Sequence, residues 1–224
     1  MKPLIVTAAS VMLSAALVAQ DAARTLPDNY KVEFENELVR VTRVHYGPHA
    51  KLPAHTHTSL ASAYVYLNDN GPVAFKHVGA EYGAVTRKPT RARSYRLYRG
   101  IDEIHEVENL SPRPSEFLRV EFKTDPVDPK SLRGVFLPPA QLTAATELVE
   151  FENAQLRVSR LTAPLGQSVQ VAGAEHPSLI VSLVAGEAGQ VTWVPRAHAH
   201  IVSTARPTAL EALRFLLKTD VQTH

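Results

Sequence analysis

Val32-Glu33-Phe34-Glu35-Asn36 returns later in the chain as Val149-Glu150-Phe151-Glu152-Asn153. The correspondence runs on through Arg40-Val41 and Arg43, which reappear as Arg157-Val158 and Arg160. The two stretches also end alike, with Glu116-x-Leu118-Arg119 mirrored by Glu211-x-Leu213-Arg214. Self-similarity of this kind marks one structural unit used twice. The second copy spans fewer residues between the shared ends, so it lacks a hairpin or a long loop of the first. The copies differ in their histidines too. The first carries His55-Thr56-His57 and later His105; the second keeps His176 and His200 but has Ala174 at the position matched to His55. Loss of a ligand type from one copy places the chemistry in the other.

Residues 38–46, 63–67, 73–78, 95–98 and 117–122 alternate apolar and polar side chains at period two. Short alternating runs broken by Gly, Pro and Asn predict an all-β sandwich or barrel. Asn68-Asp69-Asn70-Gly71 lies between two such runs. Asn-Gly tolerates positive φ, so a tight hairpin is expected there. Residues 208–217 are rich in Ala, Leu and Glu, which favour helix. The matching stretch of the first copy alternates like a strand, and the repeat therefore predicts strand. Pro126, Pro129, Pro138 and Pro139 crowd the joint between copies, and proline cannot donate to a sheet ladder. The expected organisation is a first barrel over 28–125, a proline-rich linker over 126–146 and a shorter second barrel over 147–220.

The chain opens with Lys2 and an apolar run over 4–18, broken only by Thr7, Ser10 and Ser14. That layout is expected of a secretory signal peptide over 1–19, cleaved after Ala19, which makes the mature protein periplasmic or secreted. The run is short for a membrane span. There is no cysteine among the 224 residues, so disulfides and thiolate ligands are excluded and stability rests on a packed core. The formal net charge of +2 gives no support to nucleic-acid binding. No phosphate-cradling glycine loop or serine-elbow motif is present.

Residues two apart on a strand share a face. His55 and His57 on a strand would project together, and a neighbouring strand could bring His105 to them. Three neutral imidazoles can hold a divalent first-row metal and leave positions open for water or substrate. Imidazole suits iron, manganese, nickel, copper and zinc, so the metal is not named by its ligands.

At these residues the chain resembles the cupin superfamily, small β-barrels that often bind a metal inside. His55 and His57 match the His-x-His pair of the first cupin motif, with Pro53 before it and 64–67 as the strand after it. His105 and Asn109 match the last two residues of the second motif, and Pro195 and His200 repeat part of it. The resemblance implies two tandem cupin-type double-stranded β-helix (jelly-roll) barrels, with metal ligands His55, His57 and His105. It implies a dioxygenase or an isomerase of a small organic substrate; a non-catalytic ligand-binding or protein-interaction module is the alternative. The chain departs from the motifs at His49, Gly100 and Asp102, and Ser62 stands where the family has a metal-binding glutamate. That serine suggests a three-histidine site, like that of the thiol dioxygenase branch. Glu103 could restore a carboxylate but is expected to be an ordinary loop acid. His176, His198 and His200 are candidates for a second site, with a vestigial second barrel the simpler account.

Arg87, Lys88, Arg91, Arg93, Arg96 and Arg99 crowd one stretch. A solvated edge hairpin protected by charge is the expectation, and an anion-binding rim the alternative. Tyr64, Tyr66, Tyr95 and Tyr98 are candidate cavity or core residues, and Trp193, matched to Tyr98, is expected in the core. A small-molecule ligand is the expected partner; nucleic acid and, after signal cleavage, membrane are not, and a homodimer is left open.

Overall fold

The computed structural model describes residues 21–78, 83–124, 131–141 and 143–218. The expected signal peptide lies outside them. Among the described residues, no helix is long and apolar enough to cross a membrane.

Among the described residues the regular structure is strand apart from short helical turns. The first unit comprises β1 (Tyr30–Glu35), β2 (Val39–Tyr46), β3 (Lys51–Thr56), β4 (Ser62–Tyr66), β5 (Val73–His77), β6 (Ala84–Arg87), β7 (Tyr95–Tyr98), β8 (Ile104–Asn109) and β9 (Ser115–Phe122). A short helix, α1 (Ala22–Thr25), precedes it. Next, β10 (Gly134–Phe136) adds an edge strand to β7, so the proline-rich joint contributes to the first unit's sheet. The second unit comprises β11 (Thr146–Glu152), β12 (Leu156–Ala163), β13 (Val169–Val171), β14 (Ser178–Ser182), β15 (Val191–Val194), β16 (His200–Val202) and β17 (Leu210–Leu217). Residues 210–217 are strand, as the repeat predicts and against their helical propensity.

The first unit pairs a six-stranded sheet, β1-β2-β9-β4-β7-β10, with a four-stranded sheet, β3-β8-β5-β6. The second has β11-β12-β17-β14-β15 and only β13-β16. What the shorter copy lacks is the β5–β6 hairpin. Asn68-Asp69-Asn70-Gly71 is not a hairpin turn, because β4 and β5 belong to different sheets. The segment crosses between the sheets, and its side chains are spent on tertiary ties. Asn70 Oδ1 accepts from Thr90, Asn68 Oδ1 accepts from the Glu116 amide, and Asp69 accepts from the Ala92 amide.

The repeated motif builds the outer hairpin of each unit. Asn36 Oδ1 accepts from the amides of Leu38 and Val39, and Asn153 Oδ1 from those of Gln155 and Leu156. A bulge falls at Val32/Phe34 and again at Val149/Phe151. The motif arginines complete matching ion-pair clusters: Arg43 with Glu33 and Glu116, Arg160 with Glu150 and Glu211. Each arginine also donates to a carbonyl of the other unit, Arg43 to Ala188 and Arg160 to Arg93.

The two large sheets pack on each other. Val41, Ala63, Leu118 and Val120 of the first and Val158, Leu179, Leu213 and Phe215 of the second belong to one buried cluster. Because strand faces alternate, the neighbours Thr42, Tyr64 and Arg119 turn into the first unit. Tyr95 lies on the shared face with Leu97, while Tyr98 turns inward to the cavity. Trp193 also belongs to the shared face, stacked on Phe34 at 5.9 Å. Its register corrects the match to Tyr98: Ser178 pairs with Val194 as Ser62 pairs with Tyr98, so Trp193 corresponds to Leu97.

Candidate metal and ligand site

His55 lies on β3, His105 on β8 and His77 on β5, and the register sets His105 directly opposite both of the others. His57 follows β3 by one residue. The ring centroids of His55, His57 and His105 are 4.9–5.1 Å apart, and their ligand atoms fall within 4.8 Å of one another. His55 and His105 are buried; His57 is partly so.

The hydrogen bonds fix the His55 tautomer. The Pro53 carbonyl can only accept, so Nδ1–H donates to it at 2.7 Å and the lone pair is left on Nε2. That nitrogen accepts a hydrogen bond from the Tyr30 hydroxyl at 2.8 Å, and Tyr46 donates in turn to Tyr30 at 2.9 Å. Burial holds both phenols protonated, pushing Tyr46 up to about 12 and Tyr30 upward as well. Burial also lowers the His55 imidazole to about 4, against the opposing pull of the Pro53 bond. It depresses His57 too, helped by the charge of Arg119. His105 is only 3% exposed, and both its ring nitrogens are buried without a hydrogen-bond partner. A buried His105 without a hydrogen bond at either ring nitrogen, beside two imidazoles whose charging burial opposes, is a donor set that fits a metal, since a ligating histidine must be deprotonated.

A second, overlapping group is His77, Glu103 and His105. Glu103 is not a plain loop acid: its carboxylate lies 3.2 Å from His77 Nε2 and 3.5 Å from His105 Nδ1. Burial raises its pKa, but His105, the Arg119 charge and His77 outweigh that and hold it at about 2. His77 Nδ1 lies 2.9 Å from the Gly83 carbonyl and Nε2 3.2 Å from Glu103, contacts at both ring nitrogens that favour the first triad as ligands. Ser62 faces the same interior but donates to the Leu60 carbonyl.

Beside the histidines lies a cavity of about 290 Å³. Tyr64 and Tyr98 line it, and so do Arg87, Arg96 and Arg119. Arg87 and Arg96 therefore do not share the solvated edge expected of their arginine-rich stretch. His77 was not legible as a site residue; Arg87 and Arg96 were, but only within the anion-binding rim kept as the alternative, although Arg96 and Tyr98 share a parity opposite to the apolar Tyr95 and Leu97.

The second unit does not gather its histidines. Among the described residues, His176, His198 and His200 form no ligand cluster, and His198 donates to the Arg196 carbonyl. His200 pairs with Val171, as His105 pairs with His55. Val171 rather than Ala174 thus takes the place of His55. The interior there combines an aliphatic cluster of residues such as Leu161, Val169, Val171 and Ile180 with a cavity of about 230 Å³ whose wall includes Glu187, Gln190, Thr192 and His200.

No protein-family model and no curated protein matches the sequence. Solved structures do match the fold. AerE from Microcystis aeruginosa shares 13% identity, with 84% of this chain and 97% of that one covered and a TM-score of 0.56. YhhW from Escherichia coli gives 13%, 87%, 91% and 0.54; YhaK from the same organism gives 13%, 85%, 92% and 0.51. At these identities the likeness is one of fold. The expected organisation of two β units in tandem is the fold of this chain.

Proposed function

We propose that this is an exported protein whose first unit binds one divalent transition metal through His55, His57 and His105 and acts there on a small organic substrate. The observation that carries the reading is the convergence of three imidazoles, one of them buried with no hydrogen bond at either ring nitrogen. A metal so held would polarise a substrate oxygen or activate dioxygen; dioxygenase and isomerase chemistry are both compatible with it. The chain's own contributions are separable. The Pro53 carbonyl orients His55, and such a contact sets ring direction and basicity. Tyr30 and Tyr46 remain protonated donors beside the ligand nitrogens. Phe75, Phe117 and Tyr64 wall the cavity and limit water. Export is supported by the basic start and short apolar run of the first nineteen residues.

Elemental analysis of the purified protein tests the metal reading. The wild type is expected to hold about one metal per chain and His57→Ala to lose at least tenfold in affinity. Equal metal content in the two would end the proposal. A second reading, ligand capture without turnover, draws on the Tyr30 hydroxyl already seated on His55 Nε2. Oxygen uptake or product formation by metal-loaded protein with any small substrate would count against it.

A further inference from the structure

The cavity carries positive charge that its own carboxylates do not answer. Arg87 on β6 and Arg96 on β7 come from different sheets and converge on one ring. Their guanidinium carbons lie 5.6 and 4.6 Å from the Tyr64 centroid. Arg87 also covers Phe75 at 4.4 Å, and Arg96 covers Tyr98 at 5.3 Å. Arg119 stands 5.9 Å from the same ring, but it is engaged by Glu121 and the Thr58 carbonyl. Among the described residues, no carboxylate lies within ion-pair distance of Arg87 or Arg96, and the buried Nε of Arg96 has no hydrogen-bond partner. Glu103, the acid in this wall, is committed to His77.

Partly buried cations without close counter-charges are costly. Aromatic faces compensate only part of that cost. Burial and the neighbouring charge of Arg87 lower the pKa of Arg96, whereas at Arg87 the surrounding tyrosines and Glu103 outweigh burial and raise it. The remaining demand is for an anion, and planar guanidinium forks match a carboxylate. Apolar side chains, among them Val44, Phe75, Val85 and Phe117, form much of the rest of the wall. A volume of about 290 Å³ lies at the small end of ligand pockets. The second unit has no counterpart: it lacks β6, and Ile180 pairs with Thr192 where Tyr64 pairs with Arg96.

We propose that Arg87 and Arg96 form a carboxylate-binding subsite, which makes the ligand of this cavity a small organic acid of about one ring, seated against Tyr64 beside the histidines. The proposal deepens the metal reading by naming its substrate class and rests on that reading only for what becomes of the acid. Binding of the acid does not require metal.

The test is calorimetric titration of metal-free protein, in a buffer without carboxylate or phosphate, with three probes: benzoate, its neutral isostere benzamide, and phenyl phosphate. Benzoate is expected to bind roughly tenfold or more tightly than benzamide. Arg96→Gln and Arg87→Gln should each bring benzoate down toward benzamide, Arg96→Lys should fall between, and the exposed Arg99→Gln should match wild type. Circular dichroism identifies any variant that fails to fold; the wild-type contrast between benzoate and benzamide stands without it. Equal binding of acid and amide by wild type, or an unchanged benzoate affinity in folded Arg87→Gln and Arg96→Gln, overturns the proposal. Tighter binding of phenyl phosphate than benzoate overturns the carboxylate assignment. Because metal is absent, a failed metal analysis leaves these outcomes readable, and a failed titration leaves the metal analysis readable.

Discussion

His55 is a residue whose protonation is set twice over, by the Pro53 carbonyl that fixes its tautomer and by burial that lowers its pKa to about 4. In the unfolded chain a histidine titrates near 6.5. Between those two values the unfolded state binds the proton and the folded state does not. Stability from this group is therefore fully present above about pH 6.5 and is lost as pH falls toward about 4. His57, also depressed, acts in the same direction. Melting temperatures of metal-free protein across that window should fall more steeply for wild type than for His55→Gln/His57→Gln; parallel slopes would contradict the assignment. At this scale the sequence was most legible where ligand type and spacing coincide, as in His55-Thr56-His57. It was less decisive at Arg87 and Arg96, where a solvated edge was the expectation and an anion-binding rim the alternative. Alternation says which residues share a face, not whether that face meets water, and here the polar face of β7 meets a cavity.

The β5–β6 hairpin is the element the first unit has and the second lacks. It supplies Phe75, His77, Val85 and Arg87 to the cavity wall, and the copy without it has an aliphatic cluster beside a cavity of about 230 Å³ lined by residues such as Ser182, Glu187, Gln190 and Thr192. The length difference between copies announced a missing element; only the sheet order showed that it is this wall. The Asn68–Gly71 crossover teaches the converse. Turn chemistry is local, but whether the flanking strands pair is decided by the sheets they join. Gly100 is an element-scale constraint of a stricter kind. It has φ +76°, and a Cβ there would sit 2.3 Å from the Ser59 oxygen and 2.5 Å from the Leu60 carbonyl carbon. Gly100→Ala is expected to cost about 1–3 kcal/mol and to disturb the segment that follows His57. Gly47→Ala, whose Cβ would meet only Ala50 at 3.9 Å, should cost far less. Urea denaturation of both variants checks the difference.

At the scale of the molecule the two units share one core. Val39, Val41, Ala63, Leu118 and Val120 are buried against residues of the second unit, and the Arg160–Glu211 pair at 2.6 Å is joined across the boundary by Arg93. The second unit, whatever its own cavity does, completes the first. A fragment ending at residue 141 would expose that apolar sheet face. It is expected to aggregate or to melt far below the full chain, as read by gel filtration and thermal scanning. A monomeric fragment with the full chain's melting temperature would refute the shared-core account.

Duplication, strand class and the histidine pair were written in the order of residues, because repeats, period-two alternation and ligand spacing are local properties of a chain. The row of His55, His105 and His77, the inward arginines and the joint burial of two sheets arise from register between strands distant in sequence. Such contacts follow from which faces find partners when the sheets close, and only the folded molecule decides that.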